Sequence, residues 1–85
     1  MIVVTMMPSP PQSGEYLNVT AAGSPPIFVT VTVDGEEIGS FDCPTTPCGG
    51  SVFIPASAQG KVLKIRVEAG SEPNDDSATV KRNVL

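Results

Sequence analysis

Histidine and tryptophan are both absent from this chain of 85 residues, and its only aromatic side chains are three Phe and one Tyr. The absence of histidine removes the commonest general base and a frequent metal ligand. The remaining residues offer no recognisable nucleophile paired with a base. Paired carboxylates can hydrolyse glycosides, but that chemistry also needs a cleft and aromatic platforms for the sugar. We therefore expect a protein that is not an enzyme and that uses no cofactor.

Basic side chains are missing from residues 1–60, and all five Lys and Arg lie in residues 61–85. The net charge of the whole chain is −4. Binding to nucleic acid phosphates or to an anionic membrane surface requires a basic protein surface. The charge balance therefore argues against nucleic acid and membrane as partners.

Long hydrophobic runs are also missing, so no segment has the length of a membrane span. The apolar start of the chain has no basic residues before it and is interrupted by Thr5 and Pro8. It therefore lacks the pattern of a secretory signal peptide. We expect either a protein that is made and used without the secretory pathway or a domain cut from a longer protein.

The residues that are abundant favour short β-strands. Eleven Val, five Ile and seven Thr stand against three Leu, and β-branched side chains fit a pleated sheet better than a helix. Nine Pro and eight Gly divide the chain into short elements. The chain has the length of one domain. We therefore predict a single all-β domain that covers residues 1–85.

Seven segments have the pattern of strands bounded by turn residues. The clearest runs from Ile27 to Val33, where four aliphatic residues alternate with Phe28, Thr30 and Thr32. Asp34 and Gly35 follow directly, and Asp-Gly between two extended runs predicts a type I′ hairpin. Seven short strands in one small domain predict an antiparallel immunoglobulin-like β-sandwich, with a small barrel as the alternative. The predicted strands are Ile2–Met6, Glu15–Ala22, Ile27–Val33, Glu36–Phe41, Ser51–Ile54, Lys61–Ala69 and Ser77–Val84.

Part of this pattern resembles bacterial immunoglobulin-like domains. The shared features are the valine-rich strand Ile27–Val33, the Asp-Gly turn, a short return strand with an Ile, a loop with prolines, and the alternating strand of Gly60–Ala69. The resemblance covers about three-quarters of the chain. Two departures are the missing Trp and the expected absence of a cysteine pair that joins the two sheets. Domains of this type occur as accessory modules of secreted enzymes and adhesins and as decoration or tail-surface modules of tailed-phage virions.

The resemblance and the missing export signal together imply a non-enzymatic structural or interaction protein. The function we expect is that of a phage capsid decoration (cement) protein or another immunoglobulin-like protein of the virion surface. Such a protein is made in the host cytoplasm and docks on a large protein assembly, where its copies can form a homo-oligomer on the shell. The alternative is a carbohydrate-binding or spacer module of a secreted bacterial enzyme or adhesin, which would be extracellular.

Cys43 and Cys48 are the only cysteines and are separated by Pro-Thr-Thr-Pro. A zinc site needs about four ligands, and the chain has no histidine and no further cysteine. A redox pair usually has the spacing Cys-x-x-Cys. We therefore expect no metal site and a local disulfide that closes a loop spanning Asp42–Gly50. The disulfide requires an oxidising location, and two free thiols are the alternative.

Five side chains are candidates for partner binding. Phe28 and Phe53 lie on the predicted outward faces of their strands, and exposed apolar groups often mark interfaces. The alternative is that they fill the rim of the sandwich, or that the register is shifted by one residue. Lys64, Arg66 and Lys81 point outward on two strands expected to be neighbours. They form either a basic strip for an acidic protein surface or an ordinary solvated face.

Overall fold

Seven strands and one short 3₁₀ turn make up the computed structural model, which describes all residues from Met1 to Leu85. The 3₁₀ turn covers Ala56–Ala58, and no helix has the length and apolar character needed to cross a bilayer. The strands are β1 (Val3–Met7), β2 (Tyr16–Ala22), β3 (Ile27–Val33), β4 (Glu36–Cys43), β5 (Cys48–Phe53), β6 (Val62–Ala69) and β7 (Asp76–Asn83).

The strands form two antiparallel sheets that pack face to face, so the sandwich prediction is confirmed and the barrel alternative is wrong. The three-stranded sheet has the order β1-β2-β5, and the four-stranded sheet has the order β4-β3-β6-β7. In constant-type immunoglobulin domains the fourth strand extends the sheet of the first two. Here β4 pairs with β3 instead, which gives the three-plus-four arrangement.

The core is built from the apolar residues that alternate along the central strands. Period-two alternation places one set of side chains between the sheets and the other set in solvent. No polar or charged residue is buried as a whole. The fully or almost fully buried residues of the three central strands are Leu17, Val19, Ala21, Ile27, Val29, Val31, Val33, Leu63, Ile65, Val67 and Ala69.

The sheets are also joined where the chain crosses from β4 to β5. A Cβ atom at Gly39 would lie 2.8 Å from Cγ1 of Val52, and one at Gly50 would lie 2.7 Å from Cδ1 of Phe41. The two glycines therefore leave room for the larger side chains of the facing strand.

Cys43 and Cys48 form a disulfide with their Cα atoms 5.6 Å apart. Because Cys43 belongs to the four-stranded sheet and Cys48 to the three-stranded sheet, the bond links the two sheets. The expectation that no cysteine pair joins the sheets is therefore wrong. The predicted loop Asp42–Gly50 is also too long, because pairing with β3 and β2 extends both strands until only residues 44–47 connect them.

Removal of the disulfide is expected to weaken the domain without unfolding it. The loop that the disulfide closes is short, so the chain-entropy contribution to the free energy of unfolding is about 2 kcal/mol. For a domain of this size the melting temperature of a Cys43→Ala/Cys48→Ala variant should fall by about 10 °C, with a single cooperative transition. Mass spectrometry of the oxidised wild type should show a monomer that is lighter than the reduced chain by two hydrogen atoms. Disulfide-linked dimers would contradict this pairing.

Candidate interaction surfaces

The two outer faces of the sandwich differ in charge. The outer face of the four-stranded sheet, called here the charged face, carries acidic and basic side chains on three of its strands. The outer face of the three-stranded sheet, called here the uncharged face, has no Asp, Glu, Lys or Arg. The charged face consists of Phe28, Thr30, Thr32, Glu37, Ser40, Asp42, Lys64, Arg66, Glu68, Ser77, Thr79 and Lys81. The uncharged face consists of Val3, Thr5, Met7, Tyr16, Asn18, Thr20, Ala22, Gly49, Ser51 and Phe53.

The structure separates the five candidate partner-binding residues. Phe28, Lys64, Arg66 and Lys81 lie on the charged face, and Phe53 lies on the uncharged face on the opposite side of the molecule. Phe28 and Phe53 are 48% and 47% exposed, so neither is part of the core. The register prediction holds for both phenylalanines, but they cannot contact one flat partner together.

The basic side chains of the charged face are concentrated on β6 and β7. Lys64 pairs directly with Lys81 in the antiparallel register, and Arg66 is the next outward residue along β6. The Nε atom of Arg66 lies 3.2 Å from Oε1 of Glu68, and the only other ion pair of the chain joins the Met1 amino group to Asp76. Neither lysine therefore has a carboxylate within 4 Å. Like charges directly opposite each other destabilise a sheet, so this pair has no structural benefit within the domain.

One polar and one apolar feature lie on the same face as the basic cluster. Thr32 is the cross-strand neighbour of Lys64, and its hydroxyl is buried without a hydrogen-bond partner. Phe28 borders a shallow depression of about 250 Å³ that Phe41 and Asp42 also line. A second depression, of about 140 Å³, lies at the Lys61 end of the sandwich. Both are smaller than a typical small-molecule pocket.

The uncharged face contains contacts that the sequence analysis missed. The rings of Tyr16 and Phe53 meet edge to face, with centroids 5.2 Å apart and planes at 65°. The Ser51 hydroxyl donates a hydrogen bond of 2.6 Å to Oδ1 of Asn18 on the neighbouring strand. The signal for this face was present in the sequence, because residues 1–14, 16–33 and 43–60 contain no charged side chain and supply all three of its strands.

Truncation of the outward phenylalanines is expected to change stability little. Phe28→Ala and Phe53→Ala remove side chains that are about half exposed, so most of the transfer free energy of a buried ring is not lost. Val31→Ala, at a fully buried position of β3, should instead cost about 2 kcal/mol or more. Thermal unfolding of the three variants measures how much stability each substitution costs. A loss at both phenylalanines as large as that at Val31 would remove them from the interaction surface.

No group of three or more His, Cys, Asp or Glu side chains lies together in a way that could hold a metal ion. The acidic residues Glu72 and Asp75 lie in the exposed connection between β6 and β7, and Asp76 is the first residue of β7.

Comparison with known proteins gives no family for the chain. The resemblance to bacterial immunoglobulin-like domains rests on the pattern of residues 27–69 and remains a prediction. No protein-family profile, curated protein or solved structure matches this chain.

Proposed function

We propose that this chain is a non-enzymatic structural protein that docks on a larger protein assembly through its charged face. The assembly we propose is a phage capsid or another part of a virion surface, on which the chain serves as a decoration protein. This setting comes from the resemblance to bacterial immunoglobulin-like domains. The docking surface comes from the distribution of charge.

The observation that carries the proposal is the pairing of Lys64 with Lys81. The pair lacks a carboxylate partner within the chain, and Arg66 extends the basic cluster along β6. A partner surface rich in Asp and Glu would neutralise a repulsion that the isolated domain retains. Basic groups arranged in this way favour an acidic protein surface even though the whole chain is acidic.

The shape of the charged face fits a protein surface better than a small ligand. Four strands of about seven residues give a face of roughly 19 by 23 Å. Phe28 lies on this face as a half-exposed aromatic side chain that can anchor a partner. Aromatic residues are enriched at the energetically important centres of interfaces. The area is about half of what one partner contributes to a standard interface. Each copy should therefore bind weakly by itself, and high occupancy would depend on several contacts at once.

The alternative function, a carbohydrate-binding or spacer module, has one observation in its favour. The Met1 amino group lies near Asp76 at the start of β7, and Val84 and Leu85 follow the end of the same strand. The two ends of the described chain are therefore at opposite ends of the sandwich, as in modules joined end to end. For sugar binding the chain offers less, because Tyr16 and Phe53 meet edge to face and do not form a flat platform.

Co-sedimentation with virus particles from the organism that carries the gene tests the proposal. Labelled protein should pellet with the particles at low salt, and less of it should pellet at high salt because salt screens charge attraction. Less of a Lys64→Glu/Arg66→Glu variant should pellet with the particles at low salt, and the amount pelleted should depend less on salt. Lys61→Glu is the matched control, because Lys61 is exposed but lies outside the charged face.

Two results would count against the proposed function. Equal pelleting of the wild type and the Lys64→Glu/Arg66→Glu variant would exclude the charged face as the docking surface. Tight binding to a soluble oligosaccharide, without affinity for any particle, would favour the carbohydrate-binding alternative. Circular dichroism of each variant shows that the fold is kept, which we expect because both positions face solvent on the outer side of β6.

A further inference from the structure

The first strand is an edge strand without the features that normally prevent edge-to-edge pairing. β1 lies at the edge of the three-stranded sheet, and all five of its residues pair with β2 in an uninterrupted register. It contains no charge, no proline and no bulge, and Val3 and Met7 are 49% and 72% exposed. Natural proteins usually protect such edges with charges, prolines or bulges.

The other three edges are protected. β4 carries Glu36, Glu37 and Asp42, and a bulge interrupts its pairing with β3. β7 carries charged side chains at both ends. β5 lies beside β4, to which the disulfide connects it. β1 is therefore the one edge strand that has neither a charged side chain nor a covalent link to the edge of the other sheet.

β1 and β7 run side by side in the two sheets. The Met1 amino group is 3.7 Å from Oδ2 of Asp76, and at the other end the Leu85 amide donates a hydrogen bond of 2.9 Å to the Pro11 carbonyl. The two strands are therefore parallel and form one side of the sandwich. Along this side β7 begins with Asp76 and carries Lys81 and Arg82 just before its last residue, Asn83, so it is acidic at one end and basic at the other.

We propose that two copies of this chain pair through β1 in antiparallel orientation, about a twofold axis at Thr5. Thr5 then faces Thr5 of the second copy, and Val3 faces Met7, so the register brings no like charges together. The same axis reverses the second copy's β7, which sets the basic end of each β7 beside the acidic start of the other. The strand edge supplies hydrogen bonds, and the neighbouring edge supplies charge complementarity.

The paired form has a consequence that rests on the proposed function. Because the axis is perpendicular to the sheets, the charged faces of both copies point in the same direction. Two weak docking surfaces on one particle would then act together, and bivalent attachment can raise apparent affinity by about 10²–10⁴-fold. The pairing itself does not depend on what the charged face binds.

Sedimentation velocity of the full chain, from about 10 µM to 1 mM, tests the pairing without any partner. The sedimentation coefficient of the wild type should rise with concentration from that of a monomer to that of a dimer. Thr5→Lys should raise the dissociation constant about tenfold or more, because it places two ammonium groups opposite each other at the axis. Thr20→Lys is the matched control: Thr20 pairs with Thr5 on the same face, but on the interior strand β2. Thr20→Lys should leave the dissociation constant of the dimer unchanged.

A charge exchange on β7 gives a second test at exposed positions. Arg82→Glu should weaken dimerisation, and the double variant Asp76→Lys/Arg82→Glu should restore it, because the exchange recreates opposite charges across the axis. A wild type that stays monomeric throughout overturns the pairing and leaves the proposed docking function untouched. Equal weakening by Thr5→Lys and Thr20→Lys would assign the contact to the uncharged face and would also overturn it.

Discussion

Ile65→Ala is expected to lower the free energy of unfolding by about 2–5 kcal/mol. Ile65 is fully buried in the middle of β6, where it pairs with Val31 on one side and Val80 on the other. The substitution removes apolar contacts and leaves a cavity. The cavity cannot close, because β6 is hydrogen-bonded to β3 on one side and to β7 on the other. Urea unfolding should show a lower midpoint with an unchanged slope.

The control for this variant is Val62→Ala on the same strand, at a position that is 42% exposed. It should change the free energy of unfolding by less than about 1 kcal/mol. Equal effects of the two substitutions would contradict the placement of the core between the sheets at β6.

Gly50→Ala is expected to destabilise the domain by about 1–3 kcal/mol through overpacking. The new Cβ atom would lie 2.7 Å from Cδ1 of Phe41 and 2.8 Å from two further ring atoms. The ring cannot move freely, because it packs against the core between two sheets that the nearby disulfide holds together. Thermal unfolding measures the loss.

Gly49→Ala is the matched control, since the nearest atom to a Cβ at Gly49 is 3.8 Å away. It should be neutral or slightly stabilising, because alanine restricts the unfolded chain more than glycine does. If Gly50→Ala is also neutral, the close approach of β4 and β5 described above is wrong. Phe41→Leu combined with Gly50→Ala should recover part of the stability lost, since contacting residues are not additive.

The alternating strands were predictable because their pattern reflects a single physical requirement. Residues of β3 and β6 alternate between the core and solvent as expected, and the Asp34-Gly35 turn has positive φ angles of 49° and 84°, as a type I′ hairpin requires. Both features depend only on neighbours in the sequence. The strand boundaries there agree with the prediction to within one residue.

The β4–β5 corner was not predictable from local pattern. Gly49 and Gly50 suggest a turn, but both belong to a strand because β2 pairs with them and because Phe41 fills the space above Gly50. These contacts come from residues distant in the sequence. The same reason explains why the sequence could not show that Cys43 and Cys48 lie in different sheets.

The interaction surfaces were predictable in part. The outward direction of Phe28, Phe53, Lys64, Arg66 and Lys81 followed from alternation alone. Their grouping depended on the order of strands in each sheet, which places Phe53 on the opposite side from the others. The direct pairing of Lys64 with Lys81 depends on the register set by the connection between β6 and β7, and nothing in the local pattern fixes that register.

Lysine acylation of particle-bound protein, read by peptide mass spectrometry, tests most directly whether the charged face is the docking surface. Lys64 and Lys81 lie on that face, and Lys61 lies outside it on an exposed connection, so one chain contains both probes and control. Binding to the particle is expected to slow the acylation of Lys64 and Lys81 and to leave the rate at Lys61 unchanged. Equal rates at Lys64 and Lys81 in the free and bound protein would contradict it.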